Sequence, residues 1–373
     1  MPGGLVFSEE QEELRQSVRR FLQDKSPPLE VRRLMETEEG YARGVWAQMA
    51  TQLGLQGLAI PERHGGSGFG WIELAIVFEE MGRALLCAPY FATVALAAEA
   101  LLQSGDEQAC AAFLPGIARG ETVATLALTE EGGRWDEAGI AMEGVRTGDG
   151  WRLTGHKTFV LDGHVAGLVL VAARTPSGVS LFAVEGDAEG LTRASLPTLD
   201  QTRKLARVEL SGTPARLVGS EGVAWPGLAR TLERAAIALA AEQVGGAQRC
   251  LEMSVEYAKF RYQFGRPIGS FQVIKHKCAD MLLRVEPARS AALYAAWAAA
   301  EDSPEVPVVA SLAKATCSEA YSHAAAENIQ IHGGIGFTWE HDAHLYFKRA
   351  ASSQLFLGDP AHHREHLADL IGV

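Results

Sequence analysis

The stretch from Glu233 to Asp280 constrains this chain most. It reads as a long helix, a tight turn and a second helix. Ile237, Val244, Leu251, Val255 and Tyr257 fall at near-helical spacing, with alanines between them. Ala240, Ala241, Gly245, Gly246 and Ala247 make a small-residue face that admits another helix or a flat ligand at close range. Arg261, Phe264, Gly265 and Arg266 occupy the turn, and Pro267 and Gly269 close it. The second helix starts near Phe271. An arginine and an aromatic in a tight turn between packed helices suit a phosphate beside a planar group. The plainer reading is that these residues only shape a turn and a helix junction.

The rest of the chain is read around that stretch. At 373 residues it is long enough for two or three units that share cores, and its apolar content of 47% makes it globular. A formal charge of −12 argues against nucleic acid as the main partner, so an anionic ligand needs a local basic patch. The five cysteines (Cys87, Cys110, Cys250, Cys278, Cys317) show no paired spacing and read as buried reduced thiols. No signal peptide is visible over residues 1–7, and no apolar run is long enough to span a bilayer, so a cytoplasmic protein is expected.

Ser8 and Gln11 form a capping box for the first helix, which Pro27 and Pro28 stop. A helix with Trp46, Met49 and Leu53 ends near Gly54 or Gly57. Further helices cover 71–84 and 92–102, and another runs toward Leu114. The pattern changes at Thr122. Short strands are expected around 123–129 and at 151–155, 157–161, 167–173, 179–184 and 205–210, separated by Gly, Asp and Pro turns. Helices return at 228–260, 271–300 and 307–331, with a last pair from His341. The predicted domains are 1–121 helical, 122–222 β and 223–373 helical.

Three motifs now carry a resemblance. Arg261-Tyr-Gln-Phe-Gly-Arg-Pro-Ile-Gly-Ser-Phe-Gln272 resembles the signature of the acyl-CoA dehydrogenases. Gln330-Ile-His-Gly-Gly-Ile-Gly-Phe337 is a second match, and Pro61-Glu-Arg-His-Gly-Gly-Ser-Gly68 a weaker third, in the family's order and across nearly the whole chain. The resemblance implies a mainly α fold with a central β-barrel: a helical domain, a β domain and a C-terminal four-helix bundle. It implies FAD as cofactor and α,β-dehydrogenation of an acyl-CoA thioester in lipid metabolism. A carboxylate takes the α-proton and the β-hydrogen leaves to the flavin as hydride. It also implies a tetramer and an electron-transfer flavoprotein as acceptor.

By the same resemblance Arg261 pairs with the flavin pyrophosphate, on a neighbouring subunit, and Phe264 packs on the cofactor. Gln272 reaches ribose or adenine. Gln330, Gly333 and Gly334 meet the adenosine end. The other half of the site departs from the pattern. Where the family has Thr-Glu-Pro-Gly-x-Gly-Ser-Asp, this chain has Thr129-Glu-Glu-Gly-Gly-Arg-Trp-Asp136. Thr129 still suits a bond to the flavin ring. Where the family has Lys-x-Trp-Ile-Ser/Thr, this chain has Lys157-Thr-Phe-Val-Leu161. Phe159 can stack, but Leu161 has no side-chain donor. Asp200-Gln-Thr-Arg203 reads as a structural turn.

The base is the least regular feature. Leu357 stands where many members have a glutamate, in Phe356-Leu-Gly-Asp359, and Ala235 stands at the alternative position on the long helix. Glu242 lies about two helical turns past Ala235 on the same face, among small apolar residues, and is the expected base. The alternative for Glu242 is a buried partner of an Arg or His. Glu233 turns roughly 200° from Ala235 and is expected to cap or face solvent. Asp359 is a third candidate. His332, His341, His344, His362, His363 and His366 match no metal-ligand spacing, and no metal is expected. Two functions remain open: a dehydrogenase in its own right, or a structural partner in a heterotetramer that completes the partner's FAD site. An acyl pocket is expected along the helix after Ile72, the stretch near Thr129 and the face of Glu242.

Overall fold

The computed structural model describes residues 7–148 and 150–373. The reading of a leaderless start falls mainly on residues 1–6, outside that range. The helices before the sheet are α1 (Glu9–Lys25), α2 (Pro28–Met35), α3 (Arg43–Leu53), α4 (Trp71–Ala84), α5 (Glu99–Gln103) and α6 (Glu107–Ala118). The strands are β1 (Ala124–Ala127), β2 (Glu143–Thr147), β3 (Gly150–Leu161), β4 (Leu168–Thr175), β5 (Gly178–Glu185), β6 (Leu191–Leu196) and β7 (Leu205–Val218). Then come α7 (Trp225–Phe260), the short hairpin β8 (Tyr262–Gln263) and β9 (Arg266–Pro267), α8 (Gln272–Ala300), α9 (Val306–His332), α10 (Ala343–Leu355) and α11 (Pro360–Ile371). The chain forms two compact units. One gathers Met1–Arg32, Trp71–Leu86 and Ala236–Val373; the other holds Arg33–Gly70 and Cys87–Ala235.

The first unit is helical. Its α1 starts on the Ser8–Gln11 capping box, with both reciprocal bonds present. Pro28 does more than stop α1: it opens α2, a helix the sequence reading missed, because a proline at a first helical position loses no bond. Arg15 and Arg19 of α1 pair with Glu79 and Glu80 of α4. The small-residue face of α7 serves helix packing, not a flat ligand. A Cβ on Gly245 would stand 1.8 Å from the Glu79 carbonyl oxygen of α4, and one on Gly246 would stand 2.4 Å from the Tyr321 ring of α9. Gly82 of α4 answers with its own missing Cβ, 1.9 Å from the Glu242 carbonyl oxygen. Backbones therefore approach to distances that only glycine allows.

The second unit is built on a seven-stranded sheet. Strands β4, β2, β3, β7 and β5 pair in a closed circuit, because β5 returns to β4; β1 lies beside β4 and β6 beside β7. This is the expected barrel. Its interior holds Leu153, Val160, Val169, Val171, Phe182, Val184 and Val208, and each large side chain there contributes roughly 1.5–3 kcal/mol by leaving water. Two expected strands, 151–155 and 157–161, are one bent strand, β3. The exposed strands β2 and β6 gave no apolar alternation strong enough to be read from the sequence. The expected helix at 92–102 begins as a widened π-helical stretch, Phe91–Ala98. Every residue of that stretch is buried, and the Thr93 hydroxyl bonds both the amide and the carbonyl of Ala124.

Candidate functional site

In the helical unit, β8 and β9 pair through a two-residue turn. Phe264 (φ +53°) and Gly265 (φ +76°) are both left-handed, as a tight hairpin turn requires. This throws the Phe264 ring into solvent, 91% exposed. It meets Phe271 edge-on at 6.1 Å, and Arg266 lies 4.2 Å above the Phe271 ring. Arg261 is exposed, and its guanidinium makes no hydrogen bond or ion pair among the described residues. Gln272 is exposed at the start of α8, where unpaired helix amides favour an anion.

A second loop lies at the root of this hairpin. Tyr257, in the last turn of α7, packs against His332 with ring centroids 4.2 Å apart and planes tilted by 31°, and His332 packs against His341 at 4.2 Å with planes tilted by 43°. The end of α9 is thereby held beside the end of α7. Gln330 is exposed on the last turn of α9. Gly333 (φ +64°) and Gly334 follow, and nothing lies within 4 Å of where either Cβ would stand. The structure thus gathers Arg261, Phe264, Gln272, Gln330, Gly333 and Gly334 in one unit. His332 is buried, and its Nδ1 lies 2.7 Å from the Asn328 carbonyl oxygen.

In the barrel unit, Thr129 and Phe159 come together at one edge. The Thr129 hydroxyl donates to the Thr158 carbonyl at 2.6 Å, and the Thr158 amide donates to the Thr129 carbonyl at 3.0 Å. Phe159 is 44% exposed and has φ +56°, a conformation that costs a non-glycine residue about 1–2 kcal/mol. Its ring passes beside Gly133. The loop after Thr129 is tied by its own acids. Glu130 binds Lys157, Glu131 binds Arg207 and His156, and Arg134 chelates Asp136. Burial pushes the Glu130 carboxyl up, but the hydrogen bond from Lys157, the Met142 and Ala141 amides and the lysine charge together hold it below the usual glutamate value. Asp200 accepts from the Thr202 amide and hydroxyl, a structural turn as expected.

The carboxylates sort differently from the sequence reading. Glu242 is 6% exposed and accepts a hydrogen bond from Arg349 of α10 at 2.8 Å, and Arg349 is itself 4% exposed. Its charge is neutralised inside the helix bundle. Gly82 of α4 packs against the Glu242 backbone carbonyl and Cγ. This is the buried-partner alternative, and it removes the reason to expect Glu242 as the base. Asp359 caps α11 by accepting from the His362 amide. Leu357 is buried with φ +62°, in a turn held by Lys314 through the Gln354 and Gly358 carbonyls and by His363 through the Leu357 carbonyl. Glu233, expected to cap or face solvent, is half-buried with no hydrogen bond or ion pair among the described residues. Burial raises its carboxyl above the usual value, against the opposing charges of Arg230 and Arg234. Arg234 is engaged by Glu99. No side-chain pattern in the sequence marked Glu233 as half-buried; its desolvation is tertiary. Among the described residues no group of three His, Cys, Asp or Glu has metal-holding geometry, and no helix is long and apolar enough to cross a membrane.

The comparisons with known proteins bear on this arrangement. Three family profiles match in order: "Acyl-CoA dehydrogenase, N-terminal domain" at 8–121, "middle domain" at 125–211 and "C-terminal domain" at 225–372. The chain belongs to the acyl-CoA dehydrogenase family. It is 38% identical over 355 residues to acyl-CoA dehydrogenase IpdE2 of Mycobacterium tuberculosis, covering 94% of each chain. Among solved structures it matches a variant of the Tcur3481-Tcur3483 steroid ACAD (TM-score 0.88, 33% identity, 98% of each chain). It also matches a ChsE4-ChsE5 complex from Mycobacterium tuberculosis (TM-score 0.90, 29% identity, 99% of each chain). Members of this acyl-CoA dehydrogenase family are FAD-dependent oxidoreductases that act on the CH–CH bond of acyl-CoA thioesters.

The donors present fit FAD unevenly. A guanidinium exposed and without a partner among the described residues, an exposed aromatic, and two glycines with open space at their Cβ positions suit a diphosphate and an adenosine. Phe159 presents a half-exposed flat ring, while Thr129 is buried and its hydroxyl donates to the Thr158 carbonyl. The acid-rich loop 130–137 supplies none of the Ser side chains of the family's phosphate-holding loop.

Proposed function

We propose that the chain is one subunit of an oligomeric acyl-CoA dehydrogenase that forms the α,β-double bond of an acyl-CoA thioester. The observation that carries this is the projecting hairpin with Arg261 and Phe264. The Phe264 ring, 91% exposed and touching Phe271 only by its edge, is placed to meet a further group. Arg261 would bind diphosphate oxygens bidentately, Phe264 would cover the cofactor, and Gly333 and Gly334 would let the adenosine lie against backbone. FAD supplies the acceptor for the β-hydrogen. Thr129 and Phe159 orient and cover the ring, and a carboxylate of this chain removes the α-proton. Glu233 is the better candidate for that step, because Glu242 is already spent on Arg349. An electron-transfer flavoprotein would take the electrons onward.

Arg261→Ala should leave the helices folded and weaken flavin retention by about 1.5–3 kcal/mol, the worth of a charge-assisted contact. Flavin content after gel filtration reads this, and an unchanged content removes Arg261 from the clamp. The protein should also not be monomeric, since the hairpin serves a neighbouring chain; a stable, active monomer in light scattering would defeat this.

A second reading is favoured by a specific observation. Leu357 and Ala235 occupy both positions where the family carries a base, Glu242 is ion-paired, and the loop 130–137 has lost its phosphate-holding residues. The chain would then complete the flavin site of a different subunit and contribute little chemistry. Two solved relatives are named as pairs of chains, which supports testing this. Absorbance of the protein expressed alone separates the readings. A stoichiometric flavin band supports the first, and colourless protein that turns yellow only with a co-expressed partner supports the second. The relative described as a steroid ACAD makes steroid-derived acyl-CoA thioesters the first substrates to assay.

A further inference from the structure

Strand β3 leaves its ladder with β7 between Lys157 and Val160. In that gap Thr158 is bonded on both sides to Thr129, and Phe159 is turned outward with its left-handed backbone. A bulge that forces an aromatic residue into this region persists only where its surroundings over-determine it. The surroundings here are one buried cation. The Lys157 side chain is fully buried, and its ammonium donates to the Leu128 carbonyl at 3.0 Å and to Glu130 Oε1 at 2.7 Å. The same carboxylate oxygen accepts from the amides of Ala141 and Met142 at 3.0 and 2.9 Å. Residues 128–130, 141–142 and 157–158 are therefore gathered around a single ion pair, and Thr129 and Phe159 are the two side chains it aims.

We infer that Glu130 and Lys157 are a positioning pair, which sets Thr129 and Phe159 as the surface that receives the flavin ring without touching that ring themselves. This rests on the family reading that Thr129 and Phe159 border the cofactor. Glu130 and Lys157 are the positions at which this chain keeps the family's Thr-Glu and Lys-x motif residues, while the proline and serine of the loop are gone.

The test uses the protein in its native assembly. Lys157→Met keeps the apolar stem and removes the charge, Lys157→Arg restores a cation, and Glu130→Gln keeps the shape of the acceptor. Hydrogen exchange of the Thr158 amide is read beside flavin content and the position of the visible flavin band. Lys157→Met should speed Thr158 exchange about tenfold or more, lower flavin content after gel filtration, and shift the band. Exchange in the remaining barrel strands should be unchanged, and Lys157→Arg should recover most of each effect. Should Lys157→Met fail to fold, Glu130→Gln carries the same readouts. Faster Thr158 exchange with unchanged flavin content and band overturns the positioning role, as does unchanged exchange. A wild-type assembly with no flavin band overturns the family reading instead, and the exchange arm alone then decides whether the pair holds the bulge.

Discussion

Glu233→Gln should slow the bleaching of bound flavin by an acyl-CoA substrate by about 10²–10⁴-fold, the usual worth of a positioned general base. Glutamine keeps the shape and polarity of the side chain but cannot take a proton. The choice of Glu233 rests on its half-burial with no hydrogen bond or ion pair among the described residues; burial raises its carboxyl above the ordinary value, against the charges of Arg230 and Arg234. The pH dependence has a definite sign. The step needs the ionised form, so the rate should fall with acid at a midpoint above that of an ordinary glutamate. Stability should run the other way. A carboxyl whose folded pKa is raised favours folding less once the pH exceeds its unfolded value, so the glutamine variant should be no less stable at neutral pH. Single-turnover bleaching of the purified assembly measures the rate, and thermal melts measure the stability. Wild-type bleaching in the variant removes Glu233, and the partner-subunit reading then becomes the better one.

Removing one member of the Glu242–Arg349 pair should cost about 3–5 kcal/mol of stability, because the other charge is left buried without its counter-ion. Both residues are more than nine-tenths buried, so solvent screens the pair little. Arg349→Met should show the full loss as a lower denaturant midpoint. Glu242→Gln should lose less, since its amide oxygen still accepts from Arg349. In both variants the turnover per folded, flavin-loaded molecule should stay near wild type. A Glu242→Gln protein that is stable, retains flavin and does not bleach would return Glu242 to the role of base.

The two carboxylates show where sequence reasoning stops. Glu242 stood out because an acid among alanines and glycines is unusual, and that signal correctly marked a buried charge. It could not say what neutralises the charge, because Arg349 lies more than a hundred residues further along the chain. Glu233 was passed over on helical phase, which gives direction around an axis but not the depth of water on that side. The small-residue face of α7 was legible as a close-approach surface. Whether a helix or a ligand approaches it was not, since Gly245 and Gly246 look the same either way.

What the sequence by itself determined is the part written in short, local signals. The Ser8–Gln11 cap, the ends of α4, the α–β–α order and the three family motifs all depend on neighbours a few residues apart, so they survive reading in one dimension. The turn that holds Phe264 and Gly265 belongs here too, while its two-residue hairpin and the exposure of the Phe264 ring came from the structure. Only the tertiary structure decided the closure of the barrel through β5 and β4, the partner of Glu242 and the desolvation of Glu233. It also decided the ion pair that joins Glu130, in the loop after β1, to Lys157 of β3. Each of these depends on which surfaces lose water together, and burial and charge pairing are set by residues distant in sequence that the fold alone brings within reach.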